Sequence, residues 1–394
     1  MSKKFLDKLS DLEGAVNEIT DPFENVLRTS SPCVNYLFGN TQGLPFGYTT
    51  ILYGPQEGGK SVLSKMFIGG LHQSDPEAIA LLYDAEFRAP VQLTARDYAK
   101  FGVDNKRLKV IQNNSAEIFN QIAHKVNALC QNGAPIKLIV IDSISSVQGR
   151  LTEKKSDVNQ MTFGDHAQTI QIGLKMILPV IRKHNIALIL IAQARAEMDE
   201  WEAKRNGVPY KMAGSYGLKH MAEYFISVQA HKTKEARADI LGNSFINDKV
   251  EDLDGHGENM AFKSKVTMTK SSLGPVGRRG YFTFSRSDGP INRWEEIAGL
   301  ALGYNLIDHP DGSTKYGYNG QNWVGAPNYY KAVRDNEALQ KDLERKLQDY
   351  DSRGILGKVD GQGSPLTKEK VKKLKDAEDG ATGLLDSLDE DLPL

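Results

Sequence analysis

Two cysteines in 394 residues, Cys33 and Cys130, are too few and too far apart for a disulfide scaffold or a metal-ligand pair. They read as reduced packing residues, which fits a reducing, cytoplasmic setting. No apolar run approaches the roughly 18 residues that a membrane helix needs. The lysines near the N-terminus, Lys3 and Lys4, are followed by no apolar stretch of the kind a secretory signal carries. An excess of charge of one sign is missing too: 49 basic and 50 acidic side chains leave a net charge of −1. That balance speaks against affinity from a broad basic surface, so any nucleic acid must be held by local loops and backbone amides. What is present is a soluble globular composition, 40% hydrophobic and 25% charged. The length suits one large core with one or two small appendages.

Short apolar runs alternate with helical stretches from Gly47 to about Val228. Thr49–Tyr53, Ala78–Tyr83, Lys137–Ile141 and Ala187–Ile191 read as buried strands; Val62–His72, Ala116–Cys130 and His166–Lys183 read as helices between them. This order predicts a mostly parallel sheet covered on both faces. Lys265–Thr269 and Tyr281–Phe284 read as later strands, antiparallel to one another. Two long polar insertions, about 148–165 and 194–214, interrupt the pattern, and loops of that length in a compact domain carry function or are disordered. A further polar excursion covers Glu235–Asn259.

At the N-terminus Phe5, Leu6, Leu9, Leu12, Val16 and Ile19 recur at helical spacing. This stripe either packs on its own domain or docks on a neighbouring subunit. After Trp294 the character changes: Glu296–Leu302 suggests a helix, a Gly-, Asn- and Tyr-rich stretch follows, and Lys331–Tyr350 reads as one charged helix. Residues 376–394 hold seven acids and no Lys or Arg, too polar to order a core of their own. Such a tail competes with DNA for basic surface, binds accessory proteins, or simply solvates the chain.

Gly54-Pro55-Gln56-Glu57-Gly58-Gly59-Lys60-Ser61 fits G-x-x-x-x-G-K-[ST] in full, with an apolar strand before it and a helix from Val62 after it. Glycines let the backbone N–H groups face phosphate oxygens, and the helix start adds partial positive charge. Lys60 belongs at the β- and γ-phosphates and Ser61 on Mg2+. Asp142 ends an apolar strand and reads as the carboxylate that steadies the metal's water shell. Glu86, after Tyr83-Asp84-Ala85, is expected at the carboxyl edge of the sheet, where it could deprotonate the attacking water; Asp84 is its rival. Gln193, read as the end of the fourth strand, either caps that strand or senses the γ-phosphate and passes its loss to the loop that follows.

In these motifs the sequence resembles the RecA family of recombinases, and most of all its bacteriophage UvsX-type branch. The resemblance runs in order from about Ser31 to Arg293: Leu44-Pro45-Phe46-Gly47, Gly54 to Ser61, Asp84-Ala85-Glu86, Val140-Ile141-Asp142-Ser143, Ile191-Ala192-Gln193, Gly214-Ser215-Tyr216-Gly217-Leu218-Lys219 and Thr269-Lys270-Ser271-Ser272-Leu273-Gly274-Pro275. It implies Glu86 as catalytic glutamate, Gln193 as nucleotide sensor, two DNA-binding loops in the two insertions, and Lys270 reaching a neighbour's ATP in trans. Ser272 stands where bacterial RecA has a second lysine, and the loop 194–214 balances its basic residues with acids. Arg195, Arg205 and Lys219 are the candidates for DNA phosphates, and Arg278 and Arg279 for the duplex.

The expected architecture is therefore an α/β RecA-like P-loop NTPase core over 31–293, preceded by an oligomerisation segment (1–30) and followed by a small α+β domain (294–375) and an acidic tail (376–394). The expected activity is an ATP- and Mg2+-dependent recombinase that forms a helical filament on single-stranded DNA and pairs it with a homologous duplex, in recombination, repair and recombination-dependent replication. Single-strand-binding and mediator proteins are its expected partners. The alternatives are a ring-forming helicase motor, against which the short N-terminal segment weighs, and an ATP-binding scaffold, against which Glu86 and Gln193 weigh.

Overall fold

The computed structural model describes residues 25–39, 42–88, 96–153, 164–196, 210–212, 218–230, 261–285, 288–310 and 312–352. The amphipathic N-terminal stripe, the excursion 235–259 and the acidic tail lie outside them, as do most of both insertions. The strands in chain order are β1 (Val26–Leu27), β2 (Leu44–Pro45), β3 (Thr49–Gly54), β4 (Ile79–Asp84), β5 (Leu108–Gln112), β6 (Ile136–Asp142), β7 (Ala187–Ala196), β8 (Tyr210–Met212), β9 (Tyr224–Ala230), β10 (Ala261–Ser271), β11 (Arg279–Ser285), β12 (Gly289–Ile291), β13 (Lys315–Tyr318) and β14 (Gln321–Val324). The main helices are α1 (Pro32–Tyr36), α2 (Lys60–Ser74), α3 (Glu117–Asn120), which continues through a π turn (Gln121–Val126) into α4 (Asn127–Gln131), then α5 (Arg150–Glu153), α6 (Asp165–Lys183), α7 (Leu218–Met221), α8 (Arg293–Gly303), α9 (Ala326–Asp335) and α10 (Glu337–Ser352).

One large sheet runs in the order β12-β11-β10-β9-β3-β7-β6-β4-β5. From β9 to β5 every pairing is parallel, while β10, β11 and β12 add antiparallel strands at one edge. Alternate side chains of β3 explain why its strand reads as a continuous apolar run: Leu52 enters the core beneath α2 with Leu63, Phe67 and Leu71, and Ile51 enters the opposite core beneath the π turn and α6 with Ile122, Leu174 and Ile177. Both faces of the strand are buried, so neither can be polar. Among the described residues no helix is long and apolar enough to cross a membrane.

Helices α8, α9 and α10 and the β13–β14 hairpin enclose a separate core of Ile297, Ala301, Tyr329, Val333 and Leu343. It meets the large sheet through α1, where Cys33 and Tyr36 touch Leu300 and Leu347. Two carboxylates are buried at this junction. Glu295 pairs with Lys263 of β10 at 2.5 Å, and Glu296 accepts the Ser31 hydroxyl and, at 3.0 Å, the Cys33 N–H. Burial, above all other influences, pushes the Glu296 carboxyl up to about 8.

Four details depart from the sequence expectation, each for a local reason. Strand β7 runs past Ile191 to Ala196, because β8 pairs antiparallel with the extension (Ala194 opposite Met212, Ala196 opposite Tyr210) and satisfies its backbone. The second insertion thus leaves and re-enters through a hairpin. The expected single helix 331–350 is two, broken at Asn336, whose side-chain oxygen accepts the Leu339 N–H and caps the second. Asn319 and Gly320, both at positive φ, turn the hairpin between β13 and β14, a Asn-Gly signal that was there to be read. Finally, Arg278 is not available to a duplex: it is buried, donates to the Tyr36 carbonyl at 2.7 Å and lies over the Tyr36 ring. Its neighbour Arg279 opens β11 and is exposed.

Candidate nucleotide site

The loop Gly54–Gly59 joins β3 to α2 at the carboxyl edge of the parallel strands, the edge where open α/β sheets bind ligands. Close approach dictates its glycines, Gly58 included, where a Cβ would lie 2.6 Å from the Val228 carbonyl oxygen. A Cβ on Gly54 would lie 2.0 Å from the Val228 carbonyl oxygen of β9. Gly59, at φ +98 and capping α2, would bring a Cβ within 2.5 Å of the Ser264 hydroxyl. The loop is thus pressed against β9 and β10. Gly54→Ala must displace a buried backbone carbonyl, and a loss of about 1–3 kcal/mol is expected, read as a lower urea midpoint at unchanged slope.

Lys60 opens α2, and its ammonium donates to the Gly54 and Pro55 carbonyls at 2.9 and 2.6 Å. Burial, opposed by Asp142, lowers its proton affinity. Ser61 donates to Asp142 Oδ2 at 2.8 Å. Asp142, at the end of β6, is held above the usual carboxylate range by burial, although the Ser61 hydroxyl works the other way. Gln56, Glu57 and Gly58 complete the curve of the loop, with Glu57 in the left-handed region, and Val62 packs on the core beneath α2.

Glu86 lies two residues beyond the end of β4, next to Asp142. Ser143 donates to its Oε1 at 2.7 Å and Ser146 at 3.3 Å, while Arg88 forms an ion pair with Oε2. Asp84 is engaged differently: it accepts the Glu86 N–H at 3.2 Å and the Gln112 side chain at 3.1 Å. Gln193 stands level with Gly54 in the β3–β7 register, and its N–H donates to Ser145 at 3.1 Å. The 3-10 turn Ile144–Ser146 therefore touches both Glu86 and Gln193.

The structure brings Lys60, Ser61, Glu86, Asp142 and Gln193 to one edge and leaves Lys270 on β10, where its ammonium donates to the Ala222 carbonyl at 2.6 Å and lies over Phe225. Arg195 is on the β7 extension and Lys219 on α7; Arg205 lies outside the described residues. Sequence reading missed Ser143, Ser146 and Arg88. The serines follow Asp142 directly, and Arg88 follows Glu86 by two, so position along the chain was the available signal.

The arrangement fits a nucleotide with its metal: a glycine cradle closed to any side chain, an ammonium beside it, and a hydroxyl and carboxylate pair of hard oxygens for Mg2+. The profile of the RecA N-terminal domain matches residues 16–252. Among similar curated proteins, the RecA proteins of Chlorobaculum tepidum and Delftia acidovorans are 28% and 23% identical to this chain, covering 82% and 86% of it and 83% and 82% of their own lengths. That of Streptococcus agalactiae is 25% identical over 95% of the chain and 90% of its own. With the matched profile spanning more than half of its length, from before the phosphate loop to beyond β9, this chain belongs to the RecA family.

Proposed function

We propose that this protein is an ATP-dependent recombinase that assembles as a helical filament on single-stranded DNA and exchanges strands with a homologous duplex. Its family comprises DNA-dependent ATPases of recombination and repair that work with ATP and Mg2+. The observation that carries the finer reading is the 3-10 turn shared by Glu86 and Gln193, because it ties a candidate base to the root of the hairpin that opens the second insertion.

In this reading Gly54–Ser61 cradles the phosphates, with Lys60 leaving the loop carbonyls to meet the incoming charge. Ser61 and Asp142 hold Mg2+, which supplies neutralisation of charge developing between the β- and γ-phosphates. Glu86, aimed by Ser143 and Ser146, takes the proton of the attacking water. Gln193 links the state of the site to the 194–214 insertion, where Arg195 and Arg205, with Lys219 beyond it, hold DNA phosphates. Lys270 exchanges the Ala222 carbonyl for a neighbouring subunit's nucleotide. The order of its motifs from about Ser31 to Arg293 supports the UvsX-type branch, with the cytoplasm of its host as its place and single-strand-binding and mediator proteins as partners.

ATP hydrolysis with and without single-stranded DNA tests this directly. Stimulation by at least about tenfold is expected, a difference equivalent to about 1.4 kcal/mol in barrier. Electron micrographs of the ATP-bound complex should show open helical filaments. Equal turnover with and without DNA, or closed rings, would overturn the recombinase reading.

A further inference from the structure

The described residues hold a cation at the mouth of the site that the recombinase reading does not use. Arg88 forms an ion pair, through Nε, with Oε2 of Glu86. Its side chain is 61% exposed, whereas that of Glu86 is 9% exposed. The guanidinium therefore lies on the solvent side of the carboxylate. Its charge is felt at both other poles of the site, where it disfavours a further proton on Lys60 and on Asp142.

The backbone between the partners is unusual. Phe87 sits at φ 52, in the left-handed region, with 52% of its surface exposed. Residues held there store backbone strain and gather at ligand clamps and switches. This reversal sets Arg88 beside Glu86 in place of letting the chain run on.

We propose that Arg88 is a γ-phosphate ligand supplied in cis: its guanidinium, paired with Glu86, transfers to the γ-phosphate when nucleotide binds and leaves the carboxylate free for water. The proposal rests on the ATPase reading of the site. A guanidinium presents five donors in a planar fork suited to phosphate oxygens, of which Nε faces Glu86. A terminal phosphate carries more charge than one carboxylate, so its arrival favours the transfer. The step makes and breaks no covalent bond; one ion pair is exchanged for another. It also explains how a carboxylate covered by a cation can serve as a base, since the nucleotide that needs the base removes the cover.

The test uses the full chain with Mg2+ and without DNA, measuring affinity for ADP and for the non-hydrolysable triphosphate AMP-PNP. The proteins are wild type, Arg88→Ala, Arg88→Lys, Glu86→Gln and the Glu86→Gln/Arg88→Ala double variant. Arg88→Ala is expected to weaken AMP-PNP about tenfold and ADP by less than about twofold, with part of the loss recovered in Arg88→Lys. ADP affinity serves as the control for an intact fold. A loss of AMP-PNP affinity of at least about tenfold should also appear when alanine is introduced into the Glu86→Gln protein, where no carboxylate competes for the guanidinium. Equal losses for both nucleotides would overturn the proposal, as would disappearance of the AMP-PNP effect in the Glu86→Gln background, which would make Arg88 a counter-ion of Glu86 alone. Wild type that binds neither nucleotide would overturn the ATPase reading along with it. The expected AMP-PNP pattern in a protein whose turnover ignores DNA would overturn the recombinase reading and leave the role of Arg88 standing.

Discussion

Glu86→Gln is expected to lower ATP turnover in the presence of single-stranded DNA by roughly 10²- to 10⁴-fold, the usual contribution of a positioned general base. The substitution keeps an oxygen to accept from Ser143 and Ser146 and removes only the basicity and the charge facing Arg88. The phosphate cradle, Lys60 and the Ser61–Asp142 pair lie on other elements and stay as they are. Nucleotide affinity should therefore hold within a few-fold of wild type while kcat collapses, a split that separates loss of chemistry from loss of binding. Steady-state phosphate release at saturating ATP, with affinity measured in parallel, reads both. Turnover that survives in the variant would take the base away from Glu86 and point to Asp84. That carboxylate is nearby but is committed to the Glu86 N–H and to Gln112.

The second large effect is expected far from the nucleotide, at the junction with the C-terminal core. Glu296 keeps its proton to about pH 8 in the folded protein because burial disfavours the charged form. In the unfolded chain a glutamate gives up its proton near pH ~4.3. Between those values the folded state binds more protons than the unfolded state, so stability falls as pH rises, by at most about 1.4 kcal/mol per unit. Below that window the carboxyl is protonated in both states and contributes no slope. The Ser31 hydroxyl, the Cys33 N–H and Arg293 oppose the shift and Glu295 adds to it, so burial sets the sign. Glu296→Gln resembles the protonated acid and cannot titrate. Its melting temperature should match wild type near pH 4 and exceed it increasingly toward pH 8, by an amount equivalent to a few kcal/mol. Parallel profiles for the two proteins across that range would show that Glu296 is ionised when folded.

The parallel part of the fold was legible because burial on both faces leaves a sequence mark: runs such as Leu138–Ile141 and Leu188–Ile191 have no polar face to offer. The phosphate loop was legible for a related reason, since its spacing is fixed by the ligand it must hold. Details settled by partners distant in the chain were hidden. The extension of β7 depends on β8, and the inward course of Arg278 depends on the Tyr36 carbonyl and ring. Arg278 shows the limit well, for a solvated and a buried arginine look alike until their neighbours are known. In the candidate site, the position of Glu86 at the sheet edge was legible from its place after a strand. The serines that aim it and the arginine that covers it required coordinates, because a hydroxyl or a guanidinium close in sequence can point anywhere.

The position of β3 also sets a timetable for synthesis. It lies between β7 and β9, and the Thr49 N–H is satisfied by Glu223, 174 residues further along the chain. A ribosome adding about 5–20 residues per second needs roughly 10–35 s to cover that distance. For most of that interval, until β7 is made, the strand that carries the phosphate loop has neither neighbour, and β9 comes only at the interval's end. The nascent chain thus presents an apolar, unpaired strand just where the nucleotide site will form, an edge open to wrong partners until β7 and β9 cover it.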